Sequence, residues 1–217
     1  MPPPPPTGPQ TTPHTTPPET PDHARVVLLA GPSGAGKSRL AERLRAAYGW
    51  PIVRLDDFYK DFDAPGLPKH PALDVADWDH PDSWDGAAAC AALEALITTG
   101  CSAMPVYDIS RSKRVGEGDI TARPTDLVLA EGIFAAELIA PLRERGLLHS
   151  AWCVRNWPAL TFIRRLARDL KERRKPPLIL IKRGVALLRA EPDVVARASQ
   201  KGAQPATAKD VEAALRA

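Results

Sequence analysis

The sequence predicts an α/β fold, a doubly wound and mainly parallel sheet flanked by helices, and three observations carry the prediction. Short aliphatic runs, RVVLLA at 25–30 and DLVLAEG at 126–132, have the composition of buried strands, the first as if covered on both faces, and PIVRL at 51–55 reads as a further strand. Helical segments lie between them, the arrangement that joins parallel strands through crossovers. The first run is followed at once by a glycine-rich turn, GPSGAGKS at 31–38, which opens a helix.

In chain order, residues 1–22 are proline and threonine with almost nothing to bury. Such a segment cannot offset its ordering entropy, so a disordered or polyproline-like tail is expected ahead of one domain spanning 23–217. A proline-rich ligand for an SH3-like partner is the sharper reading of that tail, and a dispensable extension the plainer one. Lys37 to Tyr48 reads as a helix with Leu40, Leu44, Ala47 and Tyr48 on one side and Gly49 as its stop. Residues 61–85 form a long Pro/Gly/Asp-rich stretch without clear periodicity, and loops of that length are usually functional or disordered. An Ala/Leu-rich helix follows at 86–99, then a short strand within SAMPVYD at 102–108. The strand at 126–132 and the run SAWCVRN at 150–156 precede a long basic helix from about Pro158.

A length of 217 residues allows one well-buried domain and not two large ones. A net charge of +3 is too small to imply a nucleic-acid partner. No apolar run approaches the ~20 residues that span a bilayer, so no membrane partner is expected. Neither a basic n-region nor an apolar h-region precedes the domain, and no secretory signal is expected. Cys90, Cys101 and Cys153 are odd in number and lack metal-ligand spacing, as expected of reduced thiols in a cytoplasmic protein. Cys90 and Cys153 sit among apolar residues and read as small core fillers.

The turn at 31–38 fits G-x-x-x-x-G-K-[ST] at Gly31, Gly36, Lys37 and Ser38, with Pro32, Ser33, Gly34 and Ala35 between. Glycines let the backbone curl so that successive N–H groups point inward and cradle phosphate oxygens. The helix N-terminus adds partial positive charge at the same place. Lys37 is expected on the β- and γ-phosphates of ATP, and the Ser38 hydroxyl on Mg²⁺. A purely structural turn would have no need of Gly-Lys-Ser at its end. The chain has a single asparagine, Asn156, and so lacks the Asn-Lys-x-Asp guanine reader usual in GTPases.

Ligands of open α/β sheets sit at the carboxyl ends of the strands. Two of the strands end in carboxylates, Asp56 with Asp57 after IVRL, and Glu131 after LVLA. A kinase acting on a hydroxyl needs one carboxylate to accept the proton and another to order the metal shell. Asp56 and Glu131 can fill these roles, which makes Ser38, Glu131 and Asp56 the candidate metal ligands. Capping or solvated turn residues are the bland alternative for an aspartate after a strand. Asp126, at the far end of its strand and about 16 Å from Glu131 at a strand's rise per residue, is outside the site.

The segments GPSGAGKS, LDDFYKD, DWDHPDSWD, PVYDISRSKR, EGI and RRLARDLKER occur in that order, and together they resemble the uridine kinase family. Its members are P-loop nucleoside kinases that phosphorylate the 5′-hydroxyl of uridine and cytidine. The resemblance covers residues 25–175 and implies a P-loop kinase fold with a helical lid at about 164–176. It implies that Asp56 is the general base, that Trp78 flanks the nucleoside, that Asp79 holds the ribose hydroxyls and that Tyr107 packs on the base. It also places Arg165 near the sugar and the transferring phosphate, as a catalytic residue beside Asp56 and Lys37, and Arg168 and Arg173 on the lid over ATP. A ribose diol is well held by a carboxylate, and a pyrimidine by an aromatic face. Arg165 and Arg168 share one helix face, with Phe162, Leu166 and Leu170 as an apolar stripe on another. A solvated face is the usual fate of such a charge run.

The match fails in three places. Where the family usually carries a base-reading histidine, the nearest alignment offers Arg111, with one residue deleted. Arginine only donates hydrogen bonds, so at position 4 of the base it would favour uridine over cytidine. The lid pattern Glu-Arg-Gly-Arg becomes Glu172-Arg173-Arg174-Lys175, and the chain beyond Lys175 departs from the family's ending. The expectation is therefore an ATP- and Mg²⁺-dependent kinase acting on a small-molecule nucleoside, cytoplasmic and, like the family, homo-oligomeric. The alternatives are a kinase of the same superfamily acting on pantothenate or a sugar phosphate, and a nucleotide-binding regulator without transfer activity. Asp56 and the loop 61–85 speak against the regulator, which would not need them.

Overall fold

The computed structural model describes residues 23–69, 75–156 and 192–216. Its main sheet has five strands, β1 (Arg25–Ala30), β2 (Ile52–Arg54), β5 (Leu127–Glu131), β6 (Leu148–Val154) and β7 (Gln204–Ala206). Their order is β2-β5-β1-β6-β7, and every neighbouring pair is parallel. The remaining two strands, β3 (Cys101–Asp108) and β4 (Lys113–Thr121), form a separate antiparallel hairpin. The helices are α1 (Lys37–Tyr48), α2 (Gly86–Thr99), α3 (Ile139–Glu144), α4 over residues 192–200 and α5 (Ala208–Arg216).

The aliphatic runs of β1 and β5 are buried on both faces because the sheet is covered on both, whereas Arg54 of the edge strand β2 is exposed. Val26, Leu28 and Ala30 of β1 join a core with Leu93 and Leu96 of α2 and Ile139 and Leu142 of α3. Val27 and Leu29 join a second core with Leu40 and Leu44 of α1 and Val211 and Leu215 of α5. Alternate residues of one strand thus feed opposite layers, which is the doubly wound arrangement read from the sequence.

Helix α1 has the predicted bounds and ends at Gly49, whose backbone is left-handed at φ 77°. Its buried stripe differs from the expected one: Lys37, Leu40, Ala41 and Leu44 face inward, while Ala47 and Tyr48 are exposed. The last turn runs past the sheet, where the Tyr48 ring stacks on Trp50 at 4.4 Å. The strand expected within 102–108 is eight residues long, and its partner β4 was not expected at all. Cys90 and Cys153 are buried core residues, as read, and Cys101 is exposed. The tail 1–22, the basic helix from about Pro158 and the lid at 164–176 lie outside the described residues.

Parallel pairing sets the site. Leu29 of β1 and Arg54 of β2 both pair with Glu131, the last residue of β5. The glycine-rich turn after β1, the turn after β2 and Glu131 therefore meet at one edge of the sheet, its carboxyl edge.

Candidate active site

The glycine-rich turn has the curled backbone that its composition predicts, with φ of 128° at Gly31, 87° at Gly34 and 101° at Gly36. Gly31 is needed for a second reason: a Cβ there would collide with the backbone carbonyl of Val154 on β6. The turn is thus pressed against the neighbouring strand. Lys37 is 6% exposed, and its Nζ donates to the carbonyls of Gly31 at 2.8 Å and Pro32 at 3.2 Å. Its ammonium therefore lies under the turn, beside the amides that would hold phosphate.

Ser38 Oγ donates to Oε1 of Glu131 at 2.8 Å. Glu131 is 7% exposed, and burial raises its pKa above the ordinary glutamate value; the Asp56 charge pushes the same way, against Lys37, the Ser38 bond and Arg54. A buried carboxylate whose ionised form is disfavoured is well matched by a cation. Hydroxyl and carboxylate oxygens are also the hard donors that magnesium prefers, in company with phosphate oxygens and water. Ser38, Glu131 and Asp56 thus fit a divalent ion held partly by the nucleotide. Among the described residues no group of three or more His, Cys, Asp or Glu could hold a metal.

Asp56 and Asp57 lie on a 3₁₀ turn, Leu55–Phe58, directly after β2. Asp56 Oδ1 accepts the Ile133 amide at 3.4 Å. The intervening Gly132 leaves room for this approach, since a Cβ there would stand 2.8 Å from Leu55 Cβ and 3.0 Å from Asp56 Oδ1. Burial raises the pKa of Asp57, whose Oδ1 accepts the Tyr107 amide at 3.4 Å.

An aromatic group stands beside this turn. The Tyr59 ring meets Trp78 edge-on at 5.8 Å and Tyr107 at 6.0 Å, and Tyr59 Oη donates to the Trp78 carbonyl at 3.2 Å. Phe134 packs behind it, also 6.0 Å from Tyr59. Burial, helped by the Asp61 charge, pushes the Tyr107 phenol up to about 12, and its hydroxyl donates to the Lys60 carbonyl at 3.0 Å.

Residues 26–176, more than half of the chain, match the phosphoribulokinase / uridine kinase family. The chain belongs to this family. A uridine kinase from Clostridium perfringens (strain SM101 / Type A) is 30% identical over 151 residues, covering 67% of this chain and 68% of the relative. One from Deinococcus deserti is 30% identical over 167 residues, 76% of this chain and 77% of the relative. Among solved structures, a Silicibacter sp. TM1040 protein described as a fructose transport system kinase superposes with TM-score 0.59 at 22% identity, over 88% of this chain and 91% of that one. The D-glycerate 3-kinase of Cryptococcus neoformans var. grubii gives TM-score 0.55 at 17% identity, over 82% and 80%. These two likenesses are of fold, which is the α/β fold of P-loop kinases. Membership of the phosphoribulokinase / uridine kinase family makes the chain a P-loop kinase, a phosphotransferase that uses ATP with a metal ion.

The structure brings together Gly31 to Ser38, Glu131 and Asp56 at the sheet edge, with Trp78 and Tyr107 gathered around Tyr59. Asp79 follows Trp78 on an exposed turn, where its amide donates to Asp77 Oδ1 at 3.1 Å. The Arg111 side chain is 75% exposed in the turn between β3 and β4 and pairs with Asp108 at 3.4 Å. Arg165, Arg168 and Arg173 lie outside the described residues. Asp126 is spent at the start of β5, where both its oxygens bind Arg123. Tyr59 was not singled out from the sequence, although it stands in the quoted segment LDDFYKD, three residues after Asp56. No helix among the described residues is long and apolar enough to cross a membrane.

Proposed function

We propose that the chain is a nucleoside kinase that transfers the γ-phosphoryl group of ATP, with Mg²⁺, to the 5′-hydroxyl of uridine or cytidine. One observation carries the reading: Tyr59, Trp78 and Tyr107 lie against the turn that bears Asp56, with Tyr59 5.8 Å from Trp78 and 6.0 Å from Tyr107. A planar base is well held by aromatic faces, and a carboxylate on the adjoining turn suits the ribose hydroxyl next to that base. The curated relatives named uridine kinase agree with this acceptor.

In this reading the amides of residues 31–38 and the Lys37 ammonium bind and orient the donor's phosphates. Asp56, held by the Ile133 amide, accepts the proton of the attacking hydroxyl. Ser38 and Glu131 would hold the divalent ion, which when bound would supply charge neutralisation at the phosphoryl oxygens. The aromatic group excludes water from the acceptor side. The same reading includes a cytoplasmic, homo-oligomeric enzyme, and light scattering of the purified protein tests its oligomeric state.

ADP release with and without uridine, with the Lys37→Ala variant as the silent control, tests the function. Uridine-dependent release with formation of uridine 5′-monophosphate is expected. Release that responds instead to pantothenate or a sugar phosphate, or no release at all, overturns the nucleoside reading. Cytidine run in parallel, on wild type and Arg111→His, tests Arg111, whose exposed side chain must leave Asp108 to donate to uracil O4; a preference for uridine that the Arg111→His substitution removes is expected.

A further inference from the structure

We propose that Asp57 and Asp61 are positioning residues that fasten the β3–β4 hairpin, and with it Tyr107, to the turn that bears Asp56. Among the described residues the hairpin is a sheet of two strands, and the outer-edge amides of both strands find acceptors outside it. The segment after β2 supplies them. Asp57 Oδ1 accepts the amide of Tyr107 on β3 at 3.4 Å, and Asp61 Oδ1 accepts the amide of Arg114 on β4 at 2.7 Å. The Phe62 amide donates to the Ser112 carbonyl at 2.9 Å, and Tyr107 Oη donates to the Lys60 carbonyl at 3.0 Å. One six-residue segment, 57–62, thus holds both strands of the hairpin.

The two amides are not scattered along the hairpin. Tyr107 pairs with Arg114, while the preceding pair is Val106 with Gly116, so Val115 is an extra residue on β4 and the register shifts at this point. A bulge bends and twists a hairpin and re-aims the side chains beside it. Asp57 and Asp61 take the amides of the facing pair at that bulge and so fix the direction in which Tyr107 leaves the strand. Tyr107 in turn lies 6.0 Å from Tyr59, only three residues along from Asp56. Asp57 accepts this amide from a half-buried position. Truncating either aspartate leaves an edge amide without its fixed acceptor and open to water, and lets the hairpin shift against the catalytic turn.

The inference rests on the nucleoside reading only in taking Tyr107 as an acceptor contact, and its test has an arm independent of any acceptor. Amide hydrogen exchange is followed by NMR on the full chain without ligands. In Asp57→Ala the Tyr107 amide is expected to exchange about tenfold faster or more, and in Asp61→Ala the Arg114 amide likewise, as loss of a hydrogen bond to a charged group implies. The amides of Val27 and Leu29 in β1 should be unchanged. Asp57→Asn and Asp61→Asn keep an accepting oxygen and should restore most of the protection. In turnover, the alanine variants should raise the KM for uridine about tenfold, with the KM for ATP unchanged. Unchanged exchange at both amides, or an equal rise in both KM values, overturns the proposal. A wild type that ignores uridine refutes the nucleoside reading, and the exchange experiment still decides the role of the two aspartates.

Discussion

At the Asp56 carboxylate, exchanging one oxygen for an amide nitrogen keeps size and a hydrogen-bonding oxygen for the Ile133 amide but removes the proton acceptor. Asp56→Asn is therefore expected to lower kcat by roughly 10²–10⁴-fold with ATP binding largely kept, as measured by steady-state kinetics and nucleotide titration. Glu131 behaves differently, because burial raises its pKa above the ordinary 4.5. The folded state then holds this proton at pH values where the unfolded chain has already lost it. Folding is favoured below the ordinary value and loses that advantage as pH rises through the raised one. Glu131→Gln removes the ionisation, so the variant should lose activity, yet melt at a higher temperature than wild type at pH 7 in the absence of nucleotide. The gap should shrink toward pH 4; a gap that is constant with pH would show that Glu131 does not ionise unfavourably in the fold. Lys37, Ser38, Asp56 and Glu131 were legible in the sequence because a strand end and a spaced glycine turn locate them without any knowledge of distant contacts. Tyr59 was not, since an aromatic just after a single 3₁₀ turn has no period to mark it.

Among the elements, β1 and its turn are the most constrained. The Gly31→Ala substitution would place a methyl group against the Val154 carbonyl at a φ of 128° that alanine rarely adopts. Relief requires β1 and β6 to part, so a loss of about 1–3 kcal/mol or more is expected by urea denaturation, together with weaker nucleotide binding. An unaltered denaturation midpoint would mean that the turn can yield. The strands most fully legible from sequence are those buried on both faces, RVVLLA and LVLAE, while half-exposed β3 was read only as a short strand within 102–108. Strand β4, KRVGEGDIT, was illegible for the opposite reason: eight of its nine residues are exposed, it contains two glycines, and nothing alternates. Strand β7 is only the three residues QPA, too short for any periodicity. The roles of Asp57 and Asp61 were hidden with β4, because they exist only against the hairpin.

Across the whole molecule, α5 completes the layer that carries α1. Val211 and Leu215 of α5 pack with Leu40 and Leu44, and Arg43 pairs with Glu212 at 2.8 Å. Ending the chain after residue 203 would expose this face, and each large aliphatic side chain uncovered costs about 1.5–3 kcal/mol. The truncated protein should unfold at markedly lower urea than the full chain, and equal midpoints would show that α1 needs no cover. The division into a five-stranded sheet and a separate hairpin has a further consequence. The candidate phosphate-binding turn stands on one sheet, whereas Tyr107 stands on the other, tied to it by side-chain and main-chain bonds at 57–62 and by Met104 and Ile120, which pack into and against the main core. Under the nucleoside reading, the hairpin is a cartridge with two seams: a grafted 101–121 segment that keeps its partners at 57–62 and apolar residues at 104 and 120 is expected to change acceptor preference while the sheet edge keeps its nucleotide affinity.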